Sequence, residues 1–183
     1  MQDYAIVLDL EIDLGGDRKD PSPYNKDNSF VALGYTLRSP HGYLLGGASE
    51  VVILNIEDNN FTEFNTFKRA LSNAKYVVAH NAKFDVAWLR EIGITCDAKI
   101  IDTMISEYVL NKGVRDKLSL EALSHKYDSI RKQDVLKNML SKGLNYSDLP
   151  KNLQISYLRD DILATADIFQ KQERLFREDN NYS

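Results

Sequence analysis

Cysteine is almost absent from this 183-residue sequence, which contains only Cys96. A single cysteine excludes an internal disulfide and a cysteine-based metal cluster, and it is typical of proteins from a reducing compartment. Long apolar runs are also missing, and none approaches the roughly 20 residues that a membrane-spanning helix needs. The first residues, MQDYAIVLDLEID, lack the basic opening of a secretory signal. We therefore expect a cytoplasmic protein without a membrane partner.

Basic residues do not dominate the sequence. The net charge of −4 and the pI of about 5.4 argue against a protein that binds nucleic acid with its whole surface. The segment from Lys112 to Lys151 differs, because it holds nine basic residues against five acidic ones. This segment is either a solvated helical face or a patch that contacts phosphates. The length suits one hydrophobic core, so we expect a single domain over residues 1–183 with a polar tail from about residue 177.

Hydrophobic periodicity predicts strands first and helices last. The predicted strands are 4–12, 30–37, 42–54, 75–80 and 99–101. The predicted helices are 62–72 with Thr62 as N-cap, 82–93 ended by Gly93, 102–111, 120–127 after the N-cap Ser119, 134–143, and a long one over 152–176. Residues 14–29 lack periodicity and predict a mobile loop. This order of elements indicates an α/β fold with a mixed sheet.

Carboxylates alternate with apolar residues at the end of the first predicted strand. In VLDLEID, Asp9 and Glu11 are two residues apart and therefore project from the same face of the sheet. A polar, solvated face would explain the alternation. The continuous apolar run just before Asp9 argues instead for acids at the carboxyl end of a buried strand, where open α/β sheets place their sites.

Two further polar pairs share a spacing of four residues. Asn81 and Asp85 in HNAKFD follow a predicted strand and lie on one face of a helix start. Tyr157 and Asp161 in YLRDD share one face of the last helix, whereas Asp160 points elsewhere. Each pair alone is also explained by an ordinary helix, with Asn81 as N-cap and Asp85 favoured by the helix dipole.

Convergence of the four acids would require cations. If Asp9, Glu11, Asp85 and Asp161 meet in one pocket, mutual repulsion raises their pKa values unless divalent ions neutralise them. Oxygen ligands without histidine or cysteine suit Mg²⁺ or Mn²⁺, and two such ions can stabilise both the attacking and the leaving oxygen of a phosphodiester. The sequence thus predicts a site with two Mg²⁺ or Mn²⁺ ions.

The three stretches together resemble the three motifs of the DEDD superfamily of 3′-5′ exonucleases, in the same order. Tyr157 lies four residues before Asp161, which is the pattern of the tyrosine subgroup, called DEDDy. The segments IDTMISEYVLN and KLSLEALSHKY resemble the proofreading domain of family A DNA polymerases, those of bacterial DNA polymerase I and of phages. The resemblance runs from about residue 4 to residue 169. It implies a ribonuclease H-like fold in a bacterial or phage-infected cell.

The resemblance also implies roles for individual residues. Asp9, Glu11 and Asp161 would hold the metal ion that activates water, and Asp85 with Asp9 would hold the second ion. Tyr157 would orient the attacking water, and Asn81 would contact the backbone of the terminal nucleotide. Further substrate contacts are expected from Leu10, Ile12, Phe84 and His80. Ile12 and Leu14 are candidates for an apolar wedge against which the last base stacks. Asp13 is expected at the rim of the site.

The activity implied is stepwise hydrolysis from the 3′ end of DNA, preferably single-stranded, with release of nucleoside 5′-monophosphates as in proofreading during DNA replication. A DNA polymerase domain or subunit is the partner that the flanking segments suggest. The alternative substrate is RNA, because ribonuclease D carries the same tyrosine version of the third motif. A non-catalytic module that binds nucleic-acid ends is the rival of another class, although such modules normally lose one or more of the acids that are all present here.

Overall fold

The protein is described by a computed structural model over residues 3–16, 20–46, 50–58, 61–114, 116–130, 139 and 142–179. A five-stranded mixed sheet forms its centre, in the order β3-β2-β1-β4-β5. The strands are β1 (Ala5–Asp13), β2 (Ser29–Arg38), β3 (Val52–Asn55), β4 (Tyr76–Ala79) and β5 (Lys99–Asp102). The α-helices are α1 (Phe61–Asn73), α2 (Ala82–Glu91), α3 (Thr103–Leu110), α4 (Leu120–Lys126) and α5 (Lys151–Glu178), and a 3₁₀ turn spans Ile56–Asp58.

Strand β1 occupies the middle of the sheet. It pairs antiparallel with β2 and parallel with β4, and its first four residues are completely buried. Burial on both faces is what a continuous apolar run predicts, so the predicted strand and the mixed sheet are confirmed. Between Glu11 and Ile12 the pairing with β2 shifts by one residue, because Glu11 lies opposite Ala32 and Ile12 opposite Phe30. Such a bulge bends and twists the strand at its end.

Helices cover both faces of the sheet. Helices α1 and α2 pack on the face that carries Leu8 and Leu10, and the long helix α5 packs on the face that carries Ala5 and Val7. The parallel strands β1, β4 and β5 all end at the same edge. Helices α2 and α3 begin directly at that edge, after β4 and β5 respectively. This edge is where the sequence placed the acidic motifs.

Gly34 of β2 allows α5 to approach the sheet closely. It lies directly opposite Asp9 in the pairing of β1 with β2. A Cβ atom at this position would stand 2.2 Å from Ile162 Cδ1 and 3.0 Å from Leu158 Cγ, both on α5. A side chain at position 34 would therefore force Ile162 and Leu158 of α5 to shift. The glycine thus permits the close approach of the helix of the third motif to the sheet that carries the first.

Several predicted elements need correction or lie outside the description. The strand predicted over 42–54 is wrong in extent. Of its described residues, 42–46 and 50–54, only those from Val52 onward belong to a strand, and Leu44 adds one isolated bridge to Arg38. Gly42 turns the chain there with φ 89°, which interrupts an extended conformation. Helix α1 starts at Phe61, so Thr62 lies inside the helix and is not its N-cap. The helix predicted over 134–143 lies almost entirely outside the described residues.

Ordered contacts hold the described part of the long loop, residues 20–28. The side chain of Asn28 donates to the carbonyls of Asp20 (2.7 Å) and Ser22 (3.0 Å) and accepts from Gly15 N (3.2 Å). Trp88 Nε1 of α2 donates to the carbonyl of Pro21 at 3.1 Å. These bonds fasten the loop to itself and to α2. Residues 17–19 lie outside the described residues.

A buried polar cluster joins α3, α4 and α5. The carboxylate of Glu107, fully buried, accepts hydrogen bonds from Lys126 Nζ, from Tyr127 Oη at 2.6 Å and from Gln172 Nε2 at 2.9 Å. Burial alone would raise the pKa of Glu107, but the three donors outweigh it and lower that pKa below its usual value. The cluster therefore stabilises the ionised glutamate.

None of the helices in the described residues is long and apolar enough to cross a bilayer.

Replacing Glu107 by alanine is expected to destabilise the protein by about 3 kcal/mol, because three donors at the end of α4 and on α5 lose their buried acceptor. The pKa of Glu107 is lower in the folded than in the unfolded state. The stabilisation is therefore complete above the ordinary glutamate pKa and is lost as the pH falls through the folded-state pKa. Urea denaturation at neutral and acidic pH measures both effects. Glu178→Ala, which removes an exposed pair with Arg174, is the control and should cost less than about 0.5 kcal/mol.

Candidate active site

Three carboxylates meet at the carboxyl end of β1. Oxygen atoms of Asp9, Glu11 and Asp161 all lie within 4.8 Å of one another. Asp9 and Glu11 share a face because they alternate along the strand, and Asp161 comes from the third turn of α5, which packs on that face. Asp161 is only 4% exposed, whereas Asp9 and Glu11 are half-buried. The structure thus brings together acids that are about 150 residues apart in sequence.

Asp85 reaches the same edge from the first turn of α2. It is 1% exposed, and its Oδ1 accepts a hydrogen bond from the backbone N–H of Leu10 at 3.1 Å. This bond ties α2 to the residue between the two acids of β1. Burial, followed by the charge of Asp9, raises the pKa of Asp85 well above its usual value. The negative charge of Asp9 therefore affects Asp85, although Asp85 is not one of the three acids that lie within 4.8 Å of one another.

Tyr157 lies one turn before Asp161 on α5 and is half-buried. Its ring stands edge-on to the ring of Tyr146, with centroids 6.3 Å apart and an interplanar angle of 60°. Tyr146 is 2% exposed and donates a hydrogen bond to the carbonyl of Gln154 at 2.6 Å. The pKa of Tyr146 is raised, first by burial and then by the charges of Glu11 and Asp9. The ring of Tyr146 thus packs against that of Tyr157, and its raised pKa favours the neutral phenol.

Asn81 stands at the start of α2 in a left-handed conformation, with φ 63°. Its side chain is exposed and makes no capping hydrogen bond with the helix, so it does not act as a side-chain N-cap. The carboxylate of Asp102, at the end of β5, accepts instead from the N–H groups of Asn81 (3.0 Å) and Ala82 (2.9 Å). His80 Nδ1 lies 2.9 Å from Thr103 Oγ1.

The other predicted substrate residues lie around this edge in different environments. Leu10 is 3% exposed within the core, so its side chain is not available to a ligand and only its backbone faces the site region. Ile12 and Phe84 are partly buried at the margin of the same core. Asp13 is outside the cluster, since its carboxylate accepts from Ser147 N at 3.0 Å and from Ser147 Oγ.

The residues present suit a divalent cation. Three carboxylates in contact range, one of them nearly inaccessible to water, repel one another unless a positive charge lies between them. Their donors are all hard oxygens, which is the ligand chemistry of Mg²⁺ and Mn²⁺. The cluster is therefore a candidate metal centre of the kind that assists hydrolysis of phosphate esters.

Replacing Asp85 by asparagine is expected to raise the melting temperature of the metal-free protein at pH 8. The folded-state pKa of Asp85 lies above its unfolded value, so ionising it costs folding free energy as the pH rises through that window, and asparagine removes the cost while keeping an acceptor for Leu10 N–H. Thermal melts in a chelator at pH 5 and pH 8 test this. The gain should shrink at pH 5, and Asp97→Asn on the exposed surface should give none.

Three residues that shape this geometry were not predicted from the sequence to belong to the site: Gly34, Asp102 and Tyr146. Gly34 acts by lacking a side chain, and Tyr146 lies in a connection without periodicity. Asp102 was predicted as the first residue of the helix over 102–111, whereas in the structure it is the N-cap that precedes α3, a role typical of an aspartate between a strand and a helix. What the sequence did not show is that Asp102 serves two helices.

Similar architectures occur among solved nuclease and polymerase structures. Brucella melitensis NrnC with bound Mg²⁺ has a TM-score of 0.67 and 15% identity, over 98% of this chain and 76% of that one. The RNase domain of the yeast Pop2 protein has a TM-score of 0.59 and 12% identity, over 100% and 81%. The M. smegmatis Pol1 structure has a TM-score of 0.58 and 12% identity, and this chain covers only 24% of it. These likenesses show a ribonuclease H-like fold.

A sequence comparison supplies the family. No curated protein matches this chain. A family model described as 3′-5′ exonuclease matches residues 42–176, which is most of the chain. The matched stretch contains the second and third motifs, with Asn81, Asp85, Tyr157 and Asp161, whereas the first motif on β1 precedes it. The chain thus belongs to the 3′-5′ exonuclease family.

Proposed function

We propose that this protein is a 3′-5′ exonuclease of the tyrosine (DEDDy) subgroup that uses two Mg²⁺ or Mn²⁺ ions and releases nucleoside 5′-monophosphates. The observation that carries the proposal is the convergence of Asp9, Glu11 and Asp161 within 4.8 Å. The subgroup pattern also requires Asp85 and Tyr157. Asp85 lies in the first turn of α2, and Tyr157 lies one turn before Asp161 on α5. The other subgroup of the superfamily carries histidine five residues before the last aspartate, and it is not supported here because position 156 is serine.

Each side chain has a distinct role in this proposal. Asp9, Glu11 and Asp161 hold one ion, and Asp85 together with Asp9 holds the other. When bound, the ions neutralise the carboxylates and lower the pKa of water beside the scissile phosphate. Tyr157 orients the attacking water through its hydroxyl, and the packing against Tyr146 fixes the ring from which that hydroxyl projects.

Substrate contacts fall to the residues around the edge of the sheet. Asn81, exposed at the start of α2, binds the backbone of the terminal nucleotide, and His80, Phe84 and Ile12 line its surroundings. Leu10 contributes through its backbone, because its side chain is buried.

Single-stranded DNA is the proposed substrate, and RNA is the second candidate. The segments after the second motif resemble polymerase proofreading domains, and the Pol1 structure contains a DNA primer-template. RNA is favoured by a different observation, the similarity to the RNase domain of Pop2. Recognition of the 2′-hydroxyl depends on a few local contacts, so fold similarity does not separate the two. A DNA polymerase domain or subunit is the proposed partner.

Part of the basic segment has a structural role. Lys126 binds Glu107, and Lys151 binds Asp58 at 3.2 Å. Lys142 is exposed in a turn, and Lys132 and Lys137 lie outside the described residues. The other basic residues of this segment are proposed to contact phosphates of the nucleic acid. Such contacts would make the affinity for nucleic acid fall steeply with salt concentration.

Digestion of end-labelled strands tests the activity. A DNA strand labelled at its 5′ end, with Mg²⁺, should give a ladder that shortens stepwise, and no cleavage should occur in chelator. A matched RNA strand in the same single-turnover conditions separates the two substrates. Immediate release of a 5′-labelled mononucleotide would show the opposite polarity and contradict the proposal.

A non-catalytic end-binding module would behave differently in the same assay. The double variant Asp9→Ala with Glu11→Ala would then match the wild-type protein, with both binding the strand and neither shortening it. If the double variant digests DNA as fast as wild type, the assigned site is wrong.

A further inference from the structure

Two consecutive residues at the junction of β5 and α3, Asp102 and Thr103, contact Ala79 and the first three residues of the second motif. Asp102 Oδ1 accepts from Asn81 N at 3.0 Å, and Oδ2 accepts from Ala82 N at 2.9 Å. Thr103 Oγ1 donates to the carbonyl of Ala79 at 3.4 Å and lies 2.9 Å from His80 Nδ1. The contacts therefore run without a gap from the last residue of β4 to the first residue of α2.

The same carboxylate also caps the next helix. Asp102 Oδ1 accepts from Met104 N at 2.9 Å, so one side chain satisfies the first amides of both α2 and α3. The first amides of a helix have no partner within the helix, and a negative charge at that point is favoured by the helix dipole. Asp102 thereby fixes the two helix starts relative to each other.

The contacts constrain an unusual backbone conformation. Asn81 has φ 63°, a left-handed conformation that is uncommon for residues other than glycine and that asparagine adopts more readily than most. The direction of the exposed Asn81 side chain depends on this angle. Asp85 follows four residues later on the rigid helix, so any rotation of the first turn of α2 also moves the Asp85 carboxylate relative to Leu10 and Asp9.

A further contact reaches the helix of the third motif. Gln172 of α5 donates from Nε2 to the carbonyl of Thr103 at 3.0 Å, and Thr103 is fully buried. The junction of β5 and α3 is thus bonded both to the second motif and to the helix that carries Tyr157 and Asp161. It joins two parts of the site without offering a ligand of its own.

We propose that Asp102 and Thr103 are positioning residues, a two-residue clamp that sets Asn81 and Asp85 against the carboxylates of β1. The expected change in kcat or in Mg²⁺ requirement rests on the proposed function, whereas the expected change in amide exchange does not. In chain order the clamp follows Asp85 and precedes Tyr157, and none of its contacts requires it to touch substrate or metal.

The test compares Asp102→Ala with Ser119→Ala. Ser119 caps α4 through its hydroxyl, which accepts from Ala122 N at 3.3 Å, so the control also loses a helix cap but has no bond to the second motif. Asp102→Ala should lower kcat or raise the Mg²⁺ concentration for half-maximal rate by about 10- to 100-fold, as loss of a supporting contact does in metal sites. Ser119→Ala should stay within about twofold of wild type, and Thr103→Val should lie between the two variants.

Amide exchange of the metal-free protein gives a readout that does not depend on activity. In Asp102→Ala the amides of Asn81, Ala82 and Met104 should exchange at least about tenfold faster, and those of α4 should be unchanged. Unchanged exchange at Asn81 and Ala82 would overturn the clamp, as would kinetics equal to those of Ser119→Ala. If neither the wild-type protein nor any variant cleaves DNA or RNA, the proposed function is wrong. The exchange measurement still decides whether the clamp exists.

Discussion

Replacing Asp161 by asparagine is expected to reduce kcat on single-stranded DNA by about a thousandfold or more, since electrostatic groups at a reacting phosphate contribute on this scale. The change keeps the size of the side chain and removes one of the three converging negative charges. It should also remove most of the thermal stabilisation that Mg²⁺ confers, because a ligand stabilises only to the extent that it binds the folded state. Single-turnover digestion and melts with and without Mg²⁺ measure the two effects.

The adjacent Asp160 provides the matched control. Asp160→Asn makes the same chemical change one residue earlier on α5, outside the cluster of three acids. This variant should retain kcat and the Mg²⁺-dependent melting shift within about twofold, since its carboxylate is not part of the proposed site. Equal losses in both variants would mean that the helix is sensitive to substitution and that Asp161 has no special role.

Replacing Gly34 by valine is expected to lower kcat by about 10- to 100-fold although position 34 holds no functional group. The added side chain would overlap with Ile162 and Leu158, and α5 would have to move outward. Displacements of about 1 Å between reacting groups cost up to about a hundredfold in rate. Because Gly34 lies opposite Asp9, the displacement separates Asp161 from its partners on β1.

Gly46→Val is the control for this prediction. A Cβ at Gly46 meets no atom within 4 Å, so the same substitution there tests the general cost of adding a branched residue. Gly34→Val should be destabilised by about 1–3 kcal/mol and lose activity, whereas Gly46→Val should keep the wild-type kcat. An active Gly34→Val with an unchanged Mg²⁺ requirement would show that the spacing between α5 and β1 is not critical.

The sequence predicted those parts of the fold that depend on local pattern. The apolar run before Asp9 indicated a buried strand, and the alternation after it assigned Asp9 and Glu11 to a common face, as found. The spacing of four between Tyr157 and Asp161 needed only a helix to put both on one side. The convergence of Asp9, Glu11 and Asp161 came from motif order and resemblance, and no single motif could have established it.

Features that depend on contacts between distant segments were not predictable in this way. The bulge after Glu11 arises from the pairing of β1 with β2 and leaves no mark in the sequence of β1 alone. Tyr146 is held near the acids by long-range packing against β2 and α5 and by the hydrogen bond from its hydroxyl to the Gln154 carbonyl. The strand expected over 42–54 is shorter in the structure for a local reason, because Gly42 adopts φ 89° and interrupts the extended conformation.

Strand β1 has a consequence for how this chain tolerates changes in length. Leu8 and Leu10 fill the core while Asp9 and Glu11 serve the opposite face, so one stretch carries two interleaved tasks. Removing a single residue within it would exchange the two sets, burying carboxylates in the core and placing leucines where the carboxylates now converge. Surviving insertions and deletions should therefore be confined to segments such as the exposed turn around Asn25, and homologous chains should align through β1 without gaps.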